Sequence, residues 1–343
     1  MARRRGPTLA DIAQATGLSV ATVSQALTGK EGARIAPATV ERVKEAATEL
    51  GYVADATARS LRTGRTRTIG FVSDQVTVTR FAAAMVRGLL DAAEQREHAV
   101  MIAEVDSQPE RMERAFDAMR AHRIDGLAVG LMADREVQVP PRQGREPRVI
   151  INGLADQCHA VLPDEQPAGR AAVEHLLGRG HRRIALIGRH PVPPAPEVSA
   201  TIGARMEGID AAMREAGLEF AAEHRGGLWE PELGREGAAR VLEAAPDLTA
   251  ILAANDRVAF GVYQELQARG LRIPEDASVM SFDDEELASM MRPALTTMRL
   301  PYREMGEVGA SLLLDALASG ADLSAGRTKI PLELVDRASV RTL

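Results

Sequence analysis

Along the first fifty residues, apolar positions recur at helical rather than strand spacing. Leu9, Ile12 and Ala13 make one face, with Thr8 placed to cap it and Asp11 three residues on, beside the exposed first-turn N–H groups. Gly17 permits a turn and Ser19 is placed to cap a second helix, in which Val23, Ala26 and Leu27 point inward before Gly29 ends it. Pro37 suits the first position of a third helix reaching Leu50, with Val40, Val43, Ala47 and Leu50 at inward spacings. Ala36 offers that helix no side-chain cap. Beyond Thr68 the period changes. Short apolar runs at 69–73, 99–105, 126–130, 148–151, 160–162, 183–187, 250–253 and 277–282 read as strands. Stretches at 81–95, 110–121, 167–179, 203–216, 232–244 and 258–269 read as helices. Strands spaced by helices of this length make parallel α/β sheets, and two such runs predict two similar lobes. A ligand then belongs in the crevice outside the carboxyl ends of the strands.

Composition sharpens this in three ways. A chain of 343 residues with 45% apolar content suits two or three domains, and with aromatics at 3% its cores must be aliphatic. The net charge of -6 hides an asymmetry: residues 1–65 hold ten Lys/Arg against six Asp/Glu, so the basic part can meet phosphate while an acidic bulk keeps the chain in solution. The single cysteine, Cys158, rules out an intrachain disulfide framework and reads as a small buried hydrophobe. The opening MARRRGPTLADIA has no apolar run ahead of its first helix, and no stretch is long enough to cross a bilayer. A cytoplasmic protein without membrane contact is expected. No G-x-G-x-x-G follows the first strand, no P-loop or nucleophile elbow is present, and the seven histidines lack metal-ligand spacing. These absences predict a non-enzyme with no cofactor and no metal.

Two short helices joined by so tight a turn form a helix-turn-helix, whose second helix enters the major groove of duplex DNA. Its outward residues are Val20, Ala21, Thr22, Ser24 and Gln25. Gln25 can address adenine bidentately, Val20 and Ala21 can meet thymine methyls, and Thr22 and Ser24 suit base or phosphate equally. Any capped helix pair shares this outline, so a second feature matters. Asp55 can cap a short helix through ATARSLR, which sets Leu61 between Arg59 and Arg62. A leucine so flanked can wedge between base steps of the minor groove, although the same segment also reads as a solvated linker. In the body, Arg205, Asn255, Asp256 and Asp283 stand at strand ends or helix starts, and Trp229 offers a ring for stacking on a sugar or base. Taken singly, these also read as cap, core filler or surface ion pair. Residues 190–200, HPVPPAPEVSA, form a stiff loop expected at the crevice mouth.

The runs TLADIAQATGLSVATVSQALTGK and LGYVADATARSLRTGRTRTIGFV resemble the lactose/galactose repressor family (LacI family) of bacterial transcription regulators. The likeness continues through GHRRIALIG, AILAANDRVAFGVYQEL, IPEDASVMSFDD and LTTMRLPYREMG and covers essentially the whole chain. It implies a repressor that grips a near-palindromic double-stranded operator as a homodimer or higher oligomer. Hinge helices order on the DNA, and a small effector, a sugar or sugar derivative, sits in a two-lobed periplasmic-binding-protein-like body. The alternative is a non-enzymatic sugar-binding module with no DNA role. The expected divisions are a reader at 1–52, a hinge at 53–66 and a body at 67–343. Within the body, lobe 1 takes about 67–163 plus 293–326 and lobe 2 about 164–292 plus 327–343. By the resemblance, Arg205 clamps effector, Asp283 is the strand-end aspartate, Trp229 packs on the ligand and Asn152 reaches it. The sequence departs from the family at Ala54-Asp55, where Pro-Asn is usual, and at Val78-Thr79-Arg80, where Asn-Pro-Phe is common. Gln75 and Arg80 can supply polar contacts there instead, which leaves room for an anionic or phosphorylated effector. Val20 and Ala21 hold the operator-discriminating positions without a hydrogen bond to offer, so selectivity leans on methyl contacts, Gln25 and DNA deformability.

Leu61→Ala is expected to weaken operator binding and DNA bending while leaving the melting temperature of the free protein unchanged. A drop of several degrees would make Leu61 a core residue instead.

Overall fold

The computed structural model describes residues 7–28, 35–52, 60, 64–142, 144–192, 194–323 and 325–343, which divide into two compact units, 1–66 and 67–343. The first unit holds α1 (Leu9–Thr16), α2 (Val20–Thr28) and α3 (Pro37–Glu49). Ile12, Val23 and Val43 are fully buried at their junction, with Ala13, Ala26 and Ala47 closing the cluster. Both expected caps form. The Thr8 amide and hydroxyl donate to the Asp11 carboxylate at 2.6 and 2.7 Å, and Ser19 Oγ accepts from the Thr22 amide at 3.1 Å. Gly17 takes the left-handed conformation (φ 66°) that ends α1. Leu50, expected to point inward, is 41% exposed: it lies one residue past α3, and Tyr52 packs on the cluster in its place. Asp55, Arg59, Leu61, Arg62, Gly29 and Lys30 lie outside the described residues.

The second unit runs β1 (Thr68–Asp74), α4 (Ala83–Gln95), β2 (Ala99–Glu104), α5 (Pro109–Ala121), β3 (Gly126–Glu136), β4 (Arg148–Leu154), β5 (His159–Asp164) and α6 (Glu165–Gly178). It continues through β6 (Ile184–Arg189), α7 (Ile202–Glu215), β7 (Ala222–Arg225), α8 (Pro231–Ala244), β8 (Ala250–Ala253), α9 (Asp256–Ala268), β9 (Ser278–Asp283) and α10 (Glu286–Met290). The last elements are β10 (Thr296–Arg299), α11 (Tyr302–Ser319), β11 (Gly326–Pro331) and β12 (Glu333–Val335). Two six-stranded sheets result, ordered β11-β5-β4-β3-β1-β2 and β12-β10-β9-β8-β6-β7, parallel throughout except where β12 meets β10. Central strands such as β8 are buried along their whole length, which is why they read as unbroken apolar runs. Among the described residues no helix is long and apolar enough to cross a membrane.

The chain passes between lobes three times, but two crossings fall later than expected. β10 pairs with β9 and belongs to the second sheet, so the chain returns to lobe 1 only after Arg299, not near 293. β11 pairs with β5 in the first sheet, so the last crossing follows Pro331, not residue 326. The boundaries that the resemblance implied thus shift by a few residues, because each short strand satisfies its backbone groups only in the sheet it pairs with.

Three helix pairs cross through reciprocal glycines. A methyl on Gly88 or Gly306 would strike the Arg303 or Met85 carbonyl oxygen, which locks α4 against α11. Gly169 and Gly208 meet the Arg205 and Gln166 carbonyls between α6 and α7, and Gly234 and Gly261 meet those of Val258 and Pro231 between α8 and α9. Backbone-to-backbone contact of this kind has no side chain that can rotate away. Gly208→Ala is therefore expected to lower stability by about 1–3 kcal/mol. Gly178→Ala, with nothing within 4 Å of the added methyl, should be neutral or stabilising by up to ~1 kcal/mol. Denaturant titration of both checks the pair, and equal effects would refute the account.

Candidate functional site

A cavity of about 310 Å³ lies where the carboxyl ends of the two sheets face each other. Lobe 1 contributes Thr79, Phe81, Met132, Asp134, Asn152 and Tyr302, and lobe 2 contributes Glu165, Ile202, Arg205, Trp229, Glu230, Asn255, Arg257, Asp283 and Glu285. Of the residues expected from sequence, Asn152, Arg205, Trp229, Asn255 and Asp283 are brought together on its walls.

Arg205 is the hub. It sits 3% exposed on the first turn of α7, and its Nε and Nη2 donate to the two oxygens of Glu165, both at 2.7 Å. Nη1 donates to the Ala254 carbonyl at 2.9 Å, and the guanidinium lies 4.3 Å from the Phe282 ring centre and 5.7 Å from that of Trp229. Five N–H groups with three committed in this way leave two for a ligand. Asp283 ends β9 in a strained left-handed conformation (φ 108°), its carboxylate 3.9 Å from Arg205 Nη2. Trp229 donates its ring N–H to the Gly188 carbonyl at 2.8 Å, which fixes the plane of the indole. Asn255 caps α9 by accepting from the Val258 amide at 2.8 Å, so its helix-cap and cavity-wall roles coincide. Asn152, held at φ 59°, gives its amide hydrogens to the Leu131 and Met132 carbonyls.

Gln75 and Arg80 do not reach the cavity. Gln75 turns away at φ 62°, where its backbone amide donates to Glu104 at 2.7 Å and its side chain to Asp106 at 3.2 Å. Arg80, its side chain 83% exposed, is drawn across the cleft mouth to Glu286. In both cases a nearby carboxylate outcompetes the cavity. Thr79 and Phe81 from the same segment line it instead, Phe81 tilted against Tyr302 with centroids 5.7 Å apart. Asp134, Glu165, Glu230, Arg257 and Glu285 were not anticipated. Glu165 was within reach, since it opens a helix directly after a strand, the position used to find Asp283. Asp134 was missed because the strand was expected to end at Gly130, whereas β3 continues through the apolar Leu131, Met132 and Ala133 to Glu136.

In the reader, Ser19, Val20, Ala21 and Gln25 are exposed, while Thr22 and Ser24 are partly covered. The Ser19 and Thr22 hydroxyls lie 2.9 Å apart in a hydrogen bond, and Thr8 is half-covered.

Residues 8–55 match the family described as bacterial regulatory proteins, lacI family, and residues 173–340 match the periplasmic binding protein-like domain. The ribose operon repressor of Escherichia coli (strain K12) is 30% identical over 340 residues, covering 97% of this chain and 99% of its own. The chain belongs to the lacI family. The transcriptional regulator CelR of Thermobifida fusca is 32% identical over 348 residues, covering 98% of this chain and 97% of its own. Among solved structures, the lac repressor dimer bound to operator and the anti-inducer ONPF aligns with a TM-score of 0.73 at 25% identity, covering 98% of this chain and all of that one. A CelR–cellobiose complex aligns at 0.61 with 27% identity, covering 97% and 99%. The protein is thus a DNA-binding transcriptional repressor regulated by an effector, in a family whose members are not enzymes.

The repressor's cavity is acidic. Five carboxyls line it against two guanidiniums. Arg205 is occupied by Glu165, and Arg257 by Glu230 at 3.0 Å and Glu285 at 3.1 Å. Burial works against the Arg205 charge, yet Glu165, with Asp283 and Asp134 beyond, holds its pKa above the usual value. Burial likewise raises Asp134, against hydrogen bonds from Thr201 and Ser199. It lifts Asp283 well above the ordinary range; Arg205 opposes this, while Asp256, Glu165 and Glu285 add to it. Among the described residues no cluster of three His, Cys, Asp or Glu is placed to hold a metal ion.

Behind the wall, Asp256 accepts from the Ser281 and Thr297 hydroxyls and from the Glu285 amide at 2.7 Å, which anchors Glu285. Burial outweighs these bonds and pushes its pKa from 3.8 up to about 7. The folded protein thus keeps a proton that the unfolded chain has released, and the stability it contributes is full at low pH and lost as pH rises from about 4 through 7. Asp256→Asn should gain on the wild type across that range by an amount on the order of a few kcal/mol. Calorimetric melting of both proteins at several pH values measures it, and a constant difference would refute the assignment.

Proposed function

We propose that this repressor binds a near-palindromic operator as a homodimer, and that a neutral sugar in the interlobe cavity sets its DNA affinity. The reader is α2, with Gln25 addressing a base edge and Val20 and Ala21 meeting methyl groups. Segment 53–66 serves as the hinge. The effector shifts a population: it favours one arrangement of the lobes and thereby biases the spacing of the two hinges.

The observation that carries the sugar reading is the charge balance of the cavity. Both guanidiniums already face carboxylates, and Asp134 and Asp283 add two more carboxyls, of which only Asp283 nears an arginine, Arg205 at 3.9 Å. Hydroxyl groups can donate to those carboxyls and accept from the two remaining Arg205 N–H groups. A phosphate would meet an excess of negative charge, so the latitude that the Val78-Thr79-Arg80 stretch left for an anionic effector narrows once Arg80 faces Glu286. The Trp229 ring supplies an apolar face for a pyranose or furanose. The volume, near the bottom of the ~300–1,000 Å³ usual for ligand sites, favours one or two rings over a longer oligosaccharide. The relatives are named for ribose and, in one complex, cellobiose.

A thermal-shift screen of neutral mono- and disaccharides beside their phosphorylated forms tests this. At a hundred times its Kd, a true effector adds about 2.7 kcal/mol of apparent stability. Stabilisation by a neutral sugar, with little from its phosphate, is the expected result; stabilisation by phosphorylated sugars alone would overturn the reading.

A further inference from the structure

We propose that residues 194–201 form a strap that closes the effector cavity, with Asp134 as its latch. The strap leaves lobe 2 after β6 and rejoins it at α7, but between these points it is bonded to lobe 1. The Glu136 amide donates to the Pro196 carbonyl at 2.8 Å, and the Ala200 amide donates to the Asp134 carbonyl at 3.0 Å. The Asp134 carboxylate accepts three more bonds on one oxygen, from the Ser199 hydroxyl at 2.9 Å, the Thr201 amide at 2.7 Å and the Thr201 hydroxyl at 2.6 Å. Ser199 and Thr201 are only 6% and 7% exposed. All five bonds join one lobe to the other, so the lobes cannot part without breaking them. The extension of β3 past its apolar run is what receives the strap.

The latch belongs to the cavity as well as to the strap. Asp134 lines the cavity, and the strap ends at Ile202, another lining residue, one turn before Arg205 on α7. Pro194 and Pro196 stiffen the strap, so little backbone entropy is lost on docking. By contrast, the ion pair of Arg80 and Glu286 at the mouth is exposed on both partners and contributes little. Unlatching therefore governs both lobe opening and ligand escape. The claim that the strap encloses an effector rests on the function proposed above; its bonds to β3 do not.

The test uses the full-length protein carrying Ser199→Ala with Thr201→Val, two residues that do not line the cavity. Hydrogen exchange reads the Glu136, Ala200 and Thr201 amides, and acrylamide quenching reads Trp229, the only tryptophan, on the cavity wall. The double variant should speed exchange at those amides by at least about tenfold, the effect of losing two hydrogen bonds to a carboxylate, and should raise the quenching constant. Asp134→Ala should do the same, whereas Thr201→Ser, which keeps the hydroxyl, should match the wild type. Unchanged exchange and quenching would overturn the latch, and so would faster exchange spread evenly into buried strands such as β6 and β8. Deuterium and acrylamide are the only probes, so failure of the sugar screen would leave this result standing.

Discussion

The bidentate pair between Arg205 and Glu165 is the contact on which the interlobe cavity depends. Neither side chain is more than 3% exposed, and taking both charges out of water costs several kcal/mol per ion. Such a pair is poor evidence for stability and good evidence for position. It ties the first turn of α7 to the first turn of α6, beside the glycine crossing of Gly169 and Gly208 that sets the distance between those helices. Backbone contact fixes the separation, and the ion pair fixes the rotation of the guanidinium. Two of its N–H groups make no hydrogen bond within the protein. Deleting either partner would strand the other as a buried charge, so loss of effector response on deleting Arg205 mixes folding with binding. Asp283, which lacks so tight a partner, is the cleaner probe of ligand contact.

Around this pair the cavity concentrates acidity that the protein does not neutralise. Carboxyls at Asp134, Asp256 and Asp283 all have raised proton affinity, in each case chiefly because burial disfavours their charge. Asp256 lies behind the wall, where two hydroxyls and an amide already serve it, whereas Asp134 and Asp283 border the cavity, where, under the function proposed above, a hydroxyl-rich ligand can hydrogen-bond with them. The same acidity explains where the basic residues go: Arg257 and Arg80 are both drawn onto glutamates at the rim.

Two lobes built on one plan are joined by only three chain crossings. The helix pairs within each lobe are locked by backbone contact through glycine, so little deformation can be absorbed inside a lobe. Under the function proposed above, lobe closure is the coordinate that an effector biases. Bonds between β3 and residues 194–201 lie directly on it.

Much of this was readable from the chain. Helical spacing within each of three segments (Leu9, Ile12 and Ala13; Val23, Ala26 and Leu27; Val40, Val43 and Ala47) specified the reader, since apolar residues recurring every third or fourth position share one face only on a helix. Alternating apolar runs and helices specified two parallel sheets; position at strand ends or helix starts picked out Asp283, Asn255 and Arg205, and its ring picked out Trp229. These are local patterns or one-dimensional order, and sequence carries both. Other features depend on which distant groups meet. β10 joined the second sheet and β11 the first, a few residues past the boundaries that the resemblance implied, because strand pairing decides where a short strand's hydrogen bonds are met. Gln75 and Arg80 looked fit for a ligand, but Glu104, Asp106 and Glu286 claimed them. Glu165 became the partner of Arg205 across forty residues of sequence. Local pattern determines which faces must be buried; only the folded chain decides which charges are left without a partner, because that depends on every neighbour within a few ångströms.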